Sequence, residues 1–239
     1  MSQVLKCLRS GARVAACSLI TVILITATLC VLPFDRGGRV QQRVFRFWAH
    51  CMLAVCGVRV SVSGAGSIDW GREYIFVSNH TSLIDAPVLV ACLPVPLCFL
   101  AKKELFRAPI LGVYLRTTGH ILVDRRNSRS ALHSFKEAAR TLRDGGRSLL
   151  MFPEGTRSQS TLNTFKEGAA LIGIYSAVPI VPIAIVGAAK VLPSKSLKVE
   201  AGCVELRLGT PIATDGLSVR DRTKLTEQLR DEVARLSSL

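Results

Sequence analysis

Acidic residues are scarce in this chain, aromatic ones are few, and only one apolar run is long enough to concern a membrane. The 239 residues include 17 Asp plus Glu against 31 Lys plus Arg, and Phe, Trp and Tyr make up 6%. One long apolar run excludes a multi-span transporter, and ordinary Gly and Pro contents exclude collagen-like or low-complexity chain. The eight cysteines, at 7, 17, 30, 51, 56, 92, 98 and 203, contain no Cys-x-x-Cys pair. That removes zinc-ribbon and thioredoxin-type sites, and cysteines inside apolar runs point to a reducing compartment. There is no His-Glu-x-x-His and no Cys/His cluster, so no metal site is expected, and His50 and His133 are isolated. What is present is 49% hydrophobic, enough for one globular domain with an appendage.

The net charge of +14 is concentrated in two places. Residues 1–60 carry 8 basic and 1 acidic side chain, residues 101–147 carry 11 and 4, and the rest balances. Such fields attract the phosphates of nucleic acid, anionic lipid or a phosphorylated ligand, or are simply solvated basic faces. Nucleic acid is disfavoured, because aromatics are few and no recognition module is present.

Val14 to Phe34 is 21 residues without a charge, about 31 Å as a helix against a hydrocarbon core of roughly 30 Å. Lys6, Arg9 and Arg13 precede it and Arg36, Arg39, Arg43 and Arg46 follow it. Basic flanks on both sides give a span no orientation, and a re-entrant or in-plane helix with both ends cytoplasmic explains them better than a span. A cleaved signal peptide lacks its small-x-small site before Pro33. Arg36 to Val58 reads as an amphipathic helix on a membrane surface, or alternatively as a helix packed on the domain. The division expected is a membrane-anchoring helical segment, 1–57, and a domain, 58–239.

From Val58 on, short apolar runs alternate with helical patterns. Strands are predicted at Val58–Val62, Tyr74–Ser78, Leu97–Ala101, His120–Val123, Ser148–Phe152, Ile180–Val186 and Val204–Leu208. Helices are predicted near 83–92, 105–115, 128–144, 166–177 and 219–237, the last opened by Ser218 and Asp221 as a capping pair. The fold class is therefore α/β, a mixed, largely parallel sheet flanked by helices and preceded by an N-terminal membrane-associated helical segment.

Functional residues of such sheets collect where strands end. After the strand Tyr74–Ser78 come His80 and Asp85, which a continuous helix would turn about 140° apart. They meet only if the chain bends, and Ser82 with Asp85 as a capping pair and Pro87 in the first turn put a strand-to-helix corner there. A carboxylate on one ring nitrogen would fix the tautomer of a general-base histidine. The plainer alternative is a corner histidine satisfied by backbone. His120 and Asp124 form a second close pair, but no corner follows His120, so a structural role is favoured. At the end of the strand Ser148–Phe152, Pro153-Glu154-Gly155-Thr156-Arg157 presents an acid and an arginine on a tight turn. Arg157 can fork onto a phosphate or pair with Glu154.

Together these segments resemble the glycerolipid acyltransferases typified by 1-acyl-sn-glycerol-3-phosphate acyltransferase. Asn79-His80-Thr81-Ser82-Leu83-Ile84-Asp85 is similar to the His-x4-Asp motif. Lys102 to Pro109 with Gly119 to Arg125 is similar to the second block, Phe152 to Ser158 to the third, and Val181 to Gly187 to the fourth. The resemblance implies catalysis by His80 and Asp85, and acceptor-phosphate binding by Lys102, Arg125, Glu154, Gly155 and Arg157, with Glu154 organising the site more than touching the anion. It leaves open whether Lys102 or Lys103 points inward. It implies lysophosphatidic acid as acceptor, acyl-CoA or acyl-carrier protein as donor, an anionic membrane surface as partner, phosphatidic acid as product, no metal or prosthetic group, and a membrane-associated site facing the cytoplasm. Another lyso-lipid acceptor, such as a lyso-aminolipid, is the alternative within the same chemistry. A non-catalytic membrane tether is the alternative outside it.

Overall fold

The computed structural model describes residues 3–35, 38–124, 127–158 and 161–238. Two helices come first, α1 (Gln3–Val31) and α2 (Arg39–Cys56), joined by a 3-10 turn at Leu32–Phe34. The seven strands are β1 (Val58–Ser63), β2 (Ile75–Ser78), β3 (Leu97–Lys102), β4 (Ile121–Val123), β5 (Ser148–Met151), β6 (Ile180–Val186) and β7 (Gly202–Leu208). Between and after them run α3 (Asp85–Cys92), α4 (Pro109–Thr117), α5 (Ser128–Arg143), α6 (Gly168–Ser176), α7 (Ala188–Val191) and α8 (Arg222–Ser238). All seven predicted strands are present, in one sheet of order β1-β7-β6-β2-β5-β3-β4. β6 and β7 pair antiparallel and every other neighbour is parallel, so the sheet is mixed and largely parallel, as expected.

Both faces of the sheet are covered, and the strands at its centre are apolar throughout, as doubly covered strands must be. In β2, Phe76 faces the core under α2 and α3, while Ile75 and Val77 face the core under α5, α6 and α8. Ser218 and Asp221 do form the predicted capping box ahead of α8. The helix predicted at 105–115 is instead a 3-10 turn, Lys103–Arg107, followed by α4. Pro109 causes the break: it has no N–H to give to a preceding turn and opens a helix well. The short α7 was not anticipated.

The second amino-terminal helix follows the alternative reading, a helix packed on the domain: Ala49, Leu53 and Cys56 of α2 belong to the main core with Val88, Leu89 and Val204. α1 runs along the same body. Ser10 accepts the Val199 N–H at 3.1 Å and Arg13 donates to its carbonyl at 2.9 Å, while Ile25 and Leu29 pack on Tyr114 and Leu115. The Trp48 ring N–H donates to Thr21 and ties the two helices together. Cys7–Phe34, which holds an 18-residue window of mean hydropathy 2.5, is long and apolar enough to cross a membrane. Its outer side leaves Leu8, Leu19, Val22 and Ile23 exposed, an apolar face suited to a membrane, while its inner side is fixed to the domain from Ser10 to Leu29.

Candidate active site

β6, β2, β5 and β3 run parallel and end at one edge of the sheet. β2 ends at Ser78, and Asn79 closes the strand: its amide donates to the Ile185 carbonyl and accepts the Ile185 N–H, at 2.9 and 2.7 Å. The chain then bends, and α3 starts only at Asp85. That bend lets Asp85 reach back to His80, with Oδ2 lying 2.8 Å from the histidine Nδ1. Of the expected Ser82–Asp85 capping pair the carboxylate half forms: the same Oδ2 accepts the Ser82 N–H at 2.8 Å, and the Thr81 N–H at 2.7 Å, while the Ser82 hydroxyl accepts the Ile84 N–H at 3.2 Å and donates to the Leu192 carbonyl at 2.7 Å. Ser82 is thus a fastener for the corner.

Asp85 is fully buried and stands in the first turn of α3, with two backbone N–H groups on its Oδ2. The same oxygen accepts from His80 Nδ1–H, which leaves the lone pair of the ring on Nε2. The histidine ring lies flat on Phe152, with ring centres 4.0 Å apart, and its side chain keeps 21% exposure. Its backbone is held from β5. Glu154 accepts the His80 N–H at 2.7 Å, and the His80 carbonyl accepts the Ser158 N–H at 2.8 Å.

A cavity of about 830 Å³ opens at His80. At its mouth are Lys102, Gly155, Arg157, Lys166 and Lys195. Its interior is walled by Ile25 of α1, Phe45 and Trp48 of α2, Phe99 of β3 and Leu111 and Tyr114 of α4. Lys102 is the lysine that lines it, with its ammonium 3.3 Å from the exposed Glu104 carboxylate, and Lys103 is paired with Asp124 at 2.8 Å. Arg157 lines the mouth and has no carboxylate within ion-pair distance among the described residues, so the pairing of Arg157 with Glu154 does not occur. Glu154 stands behind the wall, buried, with its two oxygens taken by the N–H groups of His80 and Asn163. Gly155 takes φ +74, a left-handed value that suits glycine, and its N–H donates to the Phe152 carbonyl within the turn. Arg125 lies outside the described residues.

His120 lies deep in the same cavity and forms no pair with Asp124. Its Nδ1 accepts the Phe99 N–H at 3.1 Å, its Nε2 is buried without a partner among the described residues, and Phe45, Phe99 and Tyr114 surround the ring. Burial, and secondarily the Arg147 charge, pushes its pKa down to about 4. The cavity walls, Lys166 and Lys195 carry no sequence signal that would have marked them. They reach the site through pairings of strands and helices far apart in the chain.

A bent His–Asp pair beside a largely apolar channel lined with several cations joins a proton acceptor to walls that suit both a charged group and an apolar chain. Residues 59–186 match the Acyltransferase family. The 1-acyl-sn-glycerol-3-phosphate acyltransferase of Limnanthes douglasii is 31% identical over 225 residues, covering 90% of this chain and 78% of that one. The human 1-acyl-sn-glycerol-3-phosphate acyltransferase alpha is 30% identical over 197 residues, covering 82% and 69%. The crystal structure of the 1-acyl-sn-glycerophosphate acyltransferase PlsC from Thermotoga maritima shares the fold, with a TM-score of 0.79 at 24% identity over 96% of this chain and 95% of that one. The chain belongs to the 1-acyl-sn-glycerol-3-phosphate acyltransferase family and is an acyltransferase.

Proposed function

We propose that the chain transfers an acyl group from acyl-CoA or acyl-carrier protein to the 2-hydroxyl of 1-acyl-sn-glycerol 3-phosphate, giving phosphatidic acid. The supporting observation is that the His80–Asp85 pair opens into one cavity with Arg157 and Lys102 at its mouth and an apolar channel beyond. His80 Nε2 takes the hydroxyl proton as the oxygen attacks the thioester carbonyl, and Asp85 steadies the imidazolium that results. The carbon–sulfur bond then breaks, the imidazolium returns the proton to the leaving thiolate, and a free thiol departs. A thioester is already activated, so the transfer draws on no metal, prosthetic group or acyl-enzyme. Arg157 and Lys102 take the acceptor phosphate and so set the hydroxyl beside His80. Glu154 and Gly155 shape the turn that carries Arg157. The exposed side of α1 rests in the bilayer that holds the lipid acceptor, with the mouth reached from the cytoplasm by the water-soluble donor.

The test is thiol release by the purified chain with a panel of lyso-lipid acceptors and both donors. Arg157→Ala removes the charge-assisted contact and should lower kcat/KM for lysophosphatidic acid by roughly 10- to 150-fold while leaving donor KM in place, and Arg157→Lys, which keeps the charge but loses the fork, should already be damaging. An equal loss with an acceptor that lacks a phosphomonoester would remove lysophosphatidic acid as the preferred substrate.

A further inference from the structure

The cations at the cavity mouth flank the catalytic histidine on both sides. Strands within a sheet are about 4.8 Å apart, and the order β6-β2-β5-β3 places His80, after β2, between two flanks. Arg157 follows β5 and Lys102 ends β3, on one flank. Lys195 follows β6 and α7, on the other, and lines the same cavity with Ser194. A phosphomonoester held by Arg157 and Lys102 leaves Lys195 without an anion, and no carboxylate lies within ion-pair distance of it among the described residues.

The backbone at Lys195 is unusual. Pro193–Ser196 is a turn closed by the Ser196 N–H donating to the Pro193 carbonyl at 3.1 Å, and Lys195, its third residue, has φ +63. Glycine or asparagine ordinarily takes that place, and a side chain with a Cβ is strained there. Ala177, the other non-glycine residue at positive φ among those described, merely ends α6, where left-handed backbone is common. Lys195 ends no helix. Its turn is also fixed to the catalytic corner, because Leu192, just before it, accepts the Ser82 hydroxyl. A strained backbone that keeps a lysine, tied to the corner carrying His80 and turned to the cavity mouth, is where a functional side chain is expected.

We infer that Lys195, with Ser194 beside it, binds a phosphate of the acyl donor, so that the two substrates of the transfer are held by cations on opposite flanks of His80. The assignment rests on the acyl-transfer reading above. The chemistry shared by both possible donors is a thioester on a phosphopantetheine arm. The arm sets its phosphate well away from the reacting sulfur, which calls for a cation at the rim and not one beside the histidine.

The experiment measures steady-state kinetics of the full chain with lysophosphatidic acid and three donors: acyl-CoA, acyl-carrier protein and the phosphate-free acyl-N-acetylcysteamine. Lys195→Gly relieves the backbone while removing the ammonium, and Lys195→Arg keeps the charge. Lys195→Gly should raise KM for the phosphorylated donor that the wild type uses by about three- to tenfold, an effect that fades at high salt. KM for the phosphate-free donor and for lysophosphatidic acid should hold, and Lys195→Arg should restore most of the loss. Which phosphorylated donor responds identifies the source of the phosphate. Unchanged donor KM, an equal rise with the phosphate-free donor, or a shift in acceptor KM would each overturn the assignment. A wild type inactive with every donor would instead overturn the acyl-transfer reading, and this assignment with it.

Discussion

His80 and His120 stand at the mouth and in the depth of one cavity, and each precedes an aspartate in the chain by a few residues, yet they are held in opposite ways. Around His80 the chain bends, so Asp85 returns to the ring with two backbone N–H groups already on its oxygen. Around His120 the chain runs on as strand, Asp124 is drawn off by Lys103, and the ring is left among aromatics with one nitrogen unpartnered among the described residues. A polar ring with an anion behind it and space before it can take a proton. A ring with neither stays neutral and serves as wall. Proximity in sequence therefore says little; what separates the two is whether the backbone turns after the histidine.

The comparison breaks most decisively at His80. His80→Ala should cost 10²–10⁴-fold in kcat, about the worth of a positioned base, with the melting temperature nearly unchanged, since the ring is not core. Asp85→Asn should lose a similar amount and also lower the melting temperature, because Thr81 and Ser82 lean on the same oxygen. Retention of more than about a tenth of wild-type turnover by His80→Ala would end the general-base assignment.

A smaller effect sharpens the contrast from the other side. The folded His120 pKa, about 4, lies below its ordinary 6.5, so between those values the unfolded chain binds a proton that the folded chain refuses. Stability tied to this residue is therefore complete above pH 6.5 and falls as the pH drops towards 4, by on the order of 3 kcal/mol across the whole window. Denaturant unfolding at pH 7 and pH 4.5 should show a steeper acid loss for the wild type than for His120→Leu. Equal losses would mean that His120 is not buried neutral. The smallest effect is expected at Asp124→Asn: its ion pair with Lys103 is partly exposed, so the change should cost under about 1 kcal/mol in the same unfolding measurement.

The seven strands were readable because each is a short apolar run bounded by turn residues, and the His–Asp corner because their spacing fails on a helix. The role of α2 was not readable. A stripe that faces lipid and a stripe that faces a protein core have the same composition, and only contacts such as Leu53 with the residues of α3 tell them apart. Nor was the fastening of the corner, since Asn79 is bonded to Ile185 and Ser82 to Leu192 across 106 and 110 residues of chain. The choice between Lys102 and Lys103 was not readable either, since each has a carboxylate partner, Glu104 and Asp124, and only the position of Lys102 on the cavity wall separates them.

The grip of Ser10 and Arg13 on Val199 makes α1 a fitted component and not an interchangeable anchor. Because Ile25 of that helix also forms part of the channel wall, a chimaera carrying an unrelated hydrophobic helix would still reach the bilayer but would open the channel along one side. Two properties that look separable in a sequence, where the protein resides and what chain it accommodates, are thereby placed under the same selective constraint.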